Sequence, residues 1–499
     1  MTRSPLRLMT LILLLVSAFG ARAQGPAPDY TDSATLPDSP AYKRALEVLE
    51  VVNSGDPARV RALVETALAP GPFRDRPQEA HLGFFAEAHA DHGRLEVHGA
   101  RSYDPPRPRY HAVLIVRSTL LEVWRAIVVD VEDAEPYRIM GIELAPARPP
   151  RDLPPAERLS DEQVVSRFGA YVDGLAAQDA FSGTVLLAKD GKVRLTRAAG
   201  IANRDFDVPV NLQTRFNLGS MNKMFTAVAA MQLVERGKLS LDDPIGKYVG
   251  TDWLSQVILD RVQVKHLLTH TSGLGSYFNE GFVRASRALF RQVDDYKPLV
   301  QGEMLAFAPG TQWSYSNTGM LIAGAVIEKA GGRDYFDLIR ENVTGPAGMR
   351  STDSCELDRV NKNLAVGYSR EQTPAGPKWR NNLFQHVIRG GPAGGGYSTV
   401  EDLLRFDQAL RAGKLLRKET LAMLWRAYPE LSSPDYGLGF AVESSPAGRI
   451  VGHSGGFVGI SAHLSMYLDD GWTVAVLSNH GDSAAIVEGK ARELITQGR

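Results

Sequence analysis

Thr214-Arg-Phe-Asn-Leu-Gly-Ser-Met-Asn-Lys223, continued by Met224-Phe-Thr-Ala-Val-Ala-Ala-Met-Gln-Leu-Val234, is the stretch whose reading decides the fold. From Met221 to Val234 the chain is apolar on nearly every face, which is the pattern of a helix buried all round. Gly237 supplies its stop. Ser220 stands where that helix begins, and Lys223 follows three residues later on the same face, one turn away. A lysine desolvated inside such a helix has its pKa lowered and serves as a base, or helps another group serve as one. The pair reads as an activated serine that needs no histidine triad, with Gly219 just before it. The bland alternative is a capping serine followed by a solvated lysine.

Two further motifs follow in order. Tyr315-Ser-Asn317 lies in Pro309-Gly-Thr-Gln-Trp-Ser-Tyr-Ser-Asn-Thr-Gly319, where Pro-Gly marks a turn and sets the tyrosine on a loop. A lysine cation nearby is expected to lower the phenol pKa and make Tyr315 a general base. The Asn317 amide is expected to orient a substrate carbonyl or hold the lysine. Tyr277-Phe-Asn279 fits the same Y-x-N spacing in a Gly/Ser-rich loop, but the Pro-Gly lead and Ser-Asn-Thr-Gly surroundings favour Tyr315. Then comes Arg449-Ile-Val-Gly-His-Ser-Gly-Gly456, a strand whose glycines allow close approach by a ligand.

Residues 157 to 496 resemble the serine β-lactamase and penicillin-binding protein superfamily, in the branch of class C β-lactamases, D-alanyl peptidases and esterases. That branch carries S-x-x-K, Y-x-N and a K/H-[ST]-G strand. Phe181-Ser-Gly-Thr-Val-Leu-Leu-Ala-Lys-Asp-Gly-Lys192 is similar to its first hairpin, with Asp190-Gly191 as the turn. Gly237-Lys-Leu-Ser-Leu-Asp-Asp-Pro244, Val264-Lys-His-Leu-Leu-Thr-His-Thr-Ser-Gly-Leu274 and Gly394-Gly-Gly-Tyr-Ser-Thr-Val-Glu-Asp-Leu403 match further segments. The resemblance implies Ser220 as nucleophile, Lys223 as its activator and Tyr315 as proton shuttle. It implies Asn317, His453 and Ser454 as substrate-binding residues, and the N–H groups of Ser220 and Gly456 as oxyanion hole. The expected chemistry is double displacement through an acyl-serine. One departure stands out. β-Lactamases of this branch usually carry lysine where this chain has His453, so peptidase or esterase work is expected ahead of β-lactam destruction. A β-lactamase or D-Ala-D-Ala carboxypeptidase, and a non-catalytic ligand-binding module, stay as alternatives.

Other residues take plain readings. His266 and His270 share a helix-like spacing, but no third ligand follows, and no metal or cofactor is expected. Cys355 is the only cysteine and cannot close an intramolecular disulfide. With 56 basic and 57 acidic residues in 499 there is no footprint for nucleic acid.

The chain divides into five stretches. Residues 1–23 read as a secretory signal peptide, with Arg3 and Arg7 before an apolar run and Ala21-Arg-Ala23 as cleavage site. A secreted or periplasmic protein without a membrane span after cleavage is expected. Residues 24–39 read as a flexible lead-in. Residues 40–145 read as an α+β domain, helices first and four strands after, in an order that resembles NTF2-like domains; docking or self-association is its expected use. Residues 146–156 are a Pro-rich stiff linker. Residues 157–499 form the hydrolase-like unit, in which Ser160-Asp-Glu-Gln163 is a capping box. Its expected fold is an antiparallel sheet flanked by helices, plus an all-helical lobe, with the site between the lobes and a small molecule or peptide as substrate.

Overall fold

The computed structural model describes residues 29–104, 110–154, 156–373, 376–481 and 483–499. The signal-peptide reading lies outside these residues. No helix among them is long and apolar enough to cross a membrane.

The N-terminal unit opens on β1 (Asp29–Ser33), followed by α1 (Pro40–Ser54), α2 (Pro57–Thr66) and α3 (Gln78–His92). Ser39 and Asp56 cap α1 and α2 by accepting from Tyr42 N–H and Ala58 N–H, each with proline in the first turn, where a missing N–H costs nothing. Then β2 (Leu95–Asp104), β3 (His111–Ser118), β4 (Trp124–Val131) and β5 (Ile139–Pro146) run as an antiparallel meander. Strand alternation splits the run in β3 between two faces. Ala112, Leu114 and Val116 join Ala45, Val48, Val52 and Phe85 in the main core. Val113 and Ile115 pack on the other face with Ala126 and Trp124.

Residues 29–33 are not a flexible lead-in. They pair along β2 from Asp29↔Asp104 to Ser33↔Ala100. The anchor is a buried ion pair, Arg101 Nε to Asp32 Oδ1 at 2.8 Å. The Arg101 and Arg151 guanidinium groups lie 4.0 and 3.8 Å from the Tyr30 ring centroid. Arg151 N–H also donates to Asp32 Oδ2 at 2.9 Å, so the Pro-rich stretch is fastened to β1. Long-range charge pairing overrides the disorder-like composition.

The turn between β3 and β4 docks into the C-terminal unit. Leu121 joins the core around Phe168, Val172, Trp472 and Val487. Its carbonyl accepts from Tyr171 O–H at 2.6 Å, and Lys490 pairs with Glu122 at 3.0 Å.

The C-terminal unit begins with α4 (Asp161–Ala177), whose capping box of Ser160 and Gln163 is formed. A six-stranded antiparallel sheet follows, in the order 441–445, 448–457, 460–467, 472–478, β6 (Gly183–Lys189) and β7 (Lys192–Ala199). The β6–β7 turn has Asp190 and Gly191 at φ 50° and 71°, the left-handed pair a two-residue hairpin needs. Helix α4 and the helix Ser483–Thr496 cover one face, while α5 (Asn222–Glu235) and Val400–Arg411 belong to the core on the other. Tyr368–Thr373 and Gly376–Asn381 pair as an antiparallel hairpin between the helices of the middle of the chain and Val400–Arg411. The strand read at Arg449–Gly456 spans Gly448–Phe457 and is preceded by its antiparallel partner Ala441–Ser445.

Breaking a buried ion pair by removing one partner leaves an uncompensated charge and costs about 3–5 kcal/mol. Arg101→Ala should therefore lower stability against urea by that order and open residues 29–33 to proteolysis. A loss below about 1 kcal/mol would show the anchor to be dispensable.

Candidate active site

Ser220 sits in a 3-10 turn, Gly219–Met221, that feeds directly into α5. First-turn N–H groups have no intrahelical acceptor, so such a turn offers donors to an anion. The strand Gly448–Phe457 provides the opposite wall. Its pairing with the neighbour Ala441–Ser445 ends at Gly452, so that edge of residues 453–457 has no strand alongside it among the described residues. The Leu218–Ser220 turn takes this place. The approach is so close that a Cβ on Gly455 would lie 1.9 Å from Leu218 O, and one on Gly219, at φ +49°, 2.8 Å from Gly456 N. Glycine is required at both positions. The structure thus brings Ser220 and Gly456 together with their backbones in contact range.

Lys223 is buried completely in α5. Its Nζ donates to Asn317 Oδ1 at 3.0 Å and to Ala393 O at 2.6 Å. Desolvation pushes its pKa well below the usual lysine value. A neutral amine has two N–H groups, and two acceptors are present, so its lone pair is left to receive a proton.

Tyr315 lies on a loop just before the helix Asn317–Gly331, as its Pro-Gly lead implies. Its ring centroid is 4.7 Å from Lys223 Nζ, and its hydroxyl hydrogen-bonds Ser220. The expected lowering of its pKa does not occur. Burial raises it, more than the Ser220 bond lowers it, because the charged phenolate would be desolvated beside an amine that is itself held neutral. Asn317 holds the lysine through Oδ1, and its Nδ2 donates to Ser276 Oγ at 3.3 Å. The alternative Y-x-N is structural: Tyr277 packs with Tyr296 and Phe282, and Asn279 caps a short helix.

His453 is buried on the site side of its strand. Nδ1 faces Ser454 O and so carries the proton, leaving Nε2 to accept from Tyr436 O–H at 2.9 Å. Desolvation first, then Lys223, lower its pKa to about 3. Ser454 is not on this face. Strand alternation turns it to the side it shares with its register partner His463, which lies 3.9 Å from Glu488 of the last helix.

Reading the sequence missed three contributors. Ala393 O comes from the Gly-rich segment around residue 394, and Tyr436 from Asp435-Tyr-Gly-Leu-Gly439, a tyrosine just ahead of two glycines. His270 shows in the sequence only as part of an incomplete metal-ligand spacing, set aside there. Its Nδ1 instead accepts from Ser316 N–H at 3.2 Å, as His266 Nδ1 accepts from Gln263 N–H at 3.1 Å. Cys355 is buried, with its thiol pKa raised by burial, and Arg215 Nη2 lies 3.0 Å from its sulfur.

A family model described as Beta-lactamase matches residues 168–497. Penicillin-binding protein 4* of Bacillus subtilis (strain 168) is 32% identical over 319 residues, covering 61% of this chain and 69% of its own. Esterase EstB of Burkholderia gladioli is 31% identical, covering 59% of this chain and 84% of its own. The solved structure of a D-stereospecific amidohydrolase from Streptomyces sp. superposes with a TM-score of 0.54 at 28% identity, over 66% of this chain and 98% of that one.

The neutral His453 has a measurable consequence. Its folded pKa of about 3 lies below the ordinary 6.5, so between these values the unfolded chain binds the extra proton. Stability must then fall as pH drops through that window, by up to about 1.4 kcal/mol per pH unit for one group. His453→Gln should remove that share of the slope in urea titrations between pH 6 and 4. An unchanged slope would mean that His453 protonates freely in the folded protein.

Proposed function

The chain belongs to the β-lactamase family and is a hydrolase, and from that premise we propose that it works through an acyl-Ser220 intermediate on uncharged esters or peptide-like amides. One observation carries this reading: Lys223 and Tyr315, both beside Ser220, have their pKa values pushed in opposite directions, the lysine down and the tyrosine up. Titratable neighbours split in this way divide the labour of base and acid.

Lys223 enters the cycle as a neutral amine. Its lone pair takes the Ser220 hydroxyl proton as Oγ bonds to the substrate carbonyl carbon. The oxyanion that forms meets the N–H groups of Ser220 and Gly456, fixed donors at a helix start and on a free strand edge. Tyr315, protonated and hydrogen-bonded to Ser220, gives its proton to the leaving group as the carbon–heteroatom bond breaks. The ammonium of Lys223 reprotonates the phenolate. Water then enters, and Lys223 takes its proton as the water oxygen bonds to the acyl carbon. Tyr315 gives its proton to Ser220 Oγ as the Ser220–acyl bond breaks to release the acid, and the Lys223 ammonium reprotonates Tyr315. Asn317 fixes Lys223 and steers the acyl side.

His453 supports the choice of substrate. A neutral imidazole tied to Tyr436 gives a substrate carboxylate no cation to bind. This favours esters and amides without a free carboxylate, the peptidase or esterase side of the family, over β-lactams. The second reading, a penicillin-binding carboxypeptidase or β-lactamase, draws on the similarity to penicillin-binding protein 4*. The apolar leader at residues 8–19 supports export to the periplasm or medium. The N-terminal sheet and helices, similar in order to NTF2-like domains, serve as a docking or self-association module.

Intact mass after exposure to a fluorophosphonate should show one adduct on the wild type and none on Ser220→Ala. No adduct on folded wild type would favour a ligand-binding module instead. Short-chain p-nitrophenyl esters, D-alanyl peptides and cephalosporins then separate the two catalytic readings. His453→Lys should raise kcat/KM for carboxylate-bearing substrates by about tenfold, the worth of one partly desolvated charge contact. No gain would remove His453 from the account of specificity.

A further inference from the structure

We propose that His270 is a positioning residue that clamps Tyr315 from both sides along the chain. This rests on the acyl-serine reading for its catalytic readout. The backbone carbonyl of His270 accepts from Ser314 N–H at 2.9 Å, and its ring Nδ1 accepts from Ser316 N–H at 3.2 Å. The two bonds flank Tyr315. Between them the imidazole lies against the phenol ring, with centroids 4.4 Å apart. One residue therefore fixes the backbone before Tyr315, the backbone after it and the plane of its ring.

The second bond reaches further. Ser316 Oγ accepts from Gly319 N–H at 2.7 Å and donates to Gly275 O at 2.9 Å, capping the helix that begins at Asn317. Holding Ser316 thus also sets where Asn317 meets Lys223. The cost of the arrangement is visible in the backbone. His270 has φ +59°, a left-handed conformation uncommon for a residue other than glycine, and it persists only where the surroundings over-determine it. Those surroundings are explicit. The Tyr436 ring lies tilted against it with centroids 4.7 Å apart, and Trp313 meets it edge-on at 6.0 Å. Thr271 N–H donates to His266 O at 3.0 Å, fixing the following residue.

His270 does not relay protons in this scheme. Its Nδ1 is occupied as an acceptor, so the proton is on Nε2, which has no hydrogen-bond partner among the described residues. The ring is completely buried. It acts by geometry alone, and nothing about it needs to titrate during turnover.

The test compares His270→Ala and His270→Asn, each with and without Tyr315→Phe. Asparagine tolerates the left-handed backbone, and its Oδ1 stands where Nδ1 was, so it restores the bond to Ser316 N–H. His270→Ala should lower kcat for an ester substrate by about 10- to 100-fold with KM within about twofold, the cost of an ångström-scale misplacement. His270→Asn should recover activity to within about fivefold of wild type. In the Tyr315→Phe background His270→Ala should cost clearly less than in the wild-type background, because only the placement of Asn317 is left to lose. Equal losses in both backgrounds, or an asparagine variant no better than alanine, would overturn the proposal. Hydrogen exchange of the Ser316 amide gives a readout independent of turnover: it should speed up in His270→Ala and stay slow in His270→Asn. Wild type that forms no adduct at Ser220 would sink the acyl-serine reading, while the Ser316 amide would still decide whether the clamp exists.

Discussion

The site depends on a lysine amine placed where water cannot reach it. Lys223 lies inside α5 among apolar side chains and has two acceptors, the Asn317 amide and the Ala393 carbonyl. An ammonium there would need more compensation than two neutral oxygens give, so the amine is held neutral. That one constraint fixes three segments relative to one another: the start of α5, the start of the helix 317–331 and the turn at 391–394. Each brings its own chemical group. The first carries Ser220, the second follows Tyr315, and the third bonds Gly219 O through Gly395 N–H at 3.0 Å.

A second constraint comes from the sheet. Had the strand 441–445 continued past its pairing with Gly452, the edge of residues 453–457 would be occupied and Ser220 could not approach. The early end of that pairing leaves backbone donors unclaimed at one spot, and the nucleophile turn fills it. Glycines at 219 and 455 are the condition for contact at this distance. Two ordinary features, a helix start and a strand edge, thereby converge on one point without any charged side chain.

Much of this could be read from residues because short motifs carry their own geometry. Ser220 and Lys223 are fixed by helical spacing, the Asp190-Gly191 turn by its left-handed pair, and the capping box by two side chains three apart. The misreadings have other causes: burial, the face of a strand, and partners distant along the chain, none of which a short motif states. The phenol of Tyr315 was expected to be acidified by a cation, but the cation is absent once Lys223 is desolvated. Ser454 adjoins His453 in sequence and faces away from it in the sheet. β1 is hidden in a Pro/Ala/Ser/Asp-rich stretch because its stability comes from Arg101 and Arg151, about 70 and 120 positions distant along the chain. His270 gave only a spacing that suggested metal, whereas its role depends on a segment 46 residues later.

The groups around Ser220 share one property. Lys223, His453 and His270 are all held uncharged, and Tyr315 keeps its proton. In the proposed cycle, charge therefore arises among these groups only when the reaction creates it, first on the amine that takes the serine proton and on the carbonyl oxygen under attack. Both charges then lie in a poorly solvated space, where an ammonium and an oxyanion attract each other more strongly than in water. A resting ammonium would already be paired or hydrated and would gain less at that moment. On the proposed reading the same neutrality bears on selection: a carboxylate entering this space loses hydration and meets no cation in Lys223 or His453, while a neutral ester or amide loses little. On the proposed reading, catalytic poise and a preference for uncharged substrates have one kind of cause, burial: of Lys223 for the first and of His453 for the second.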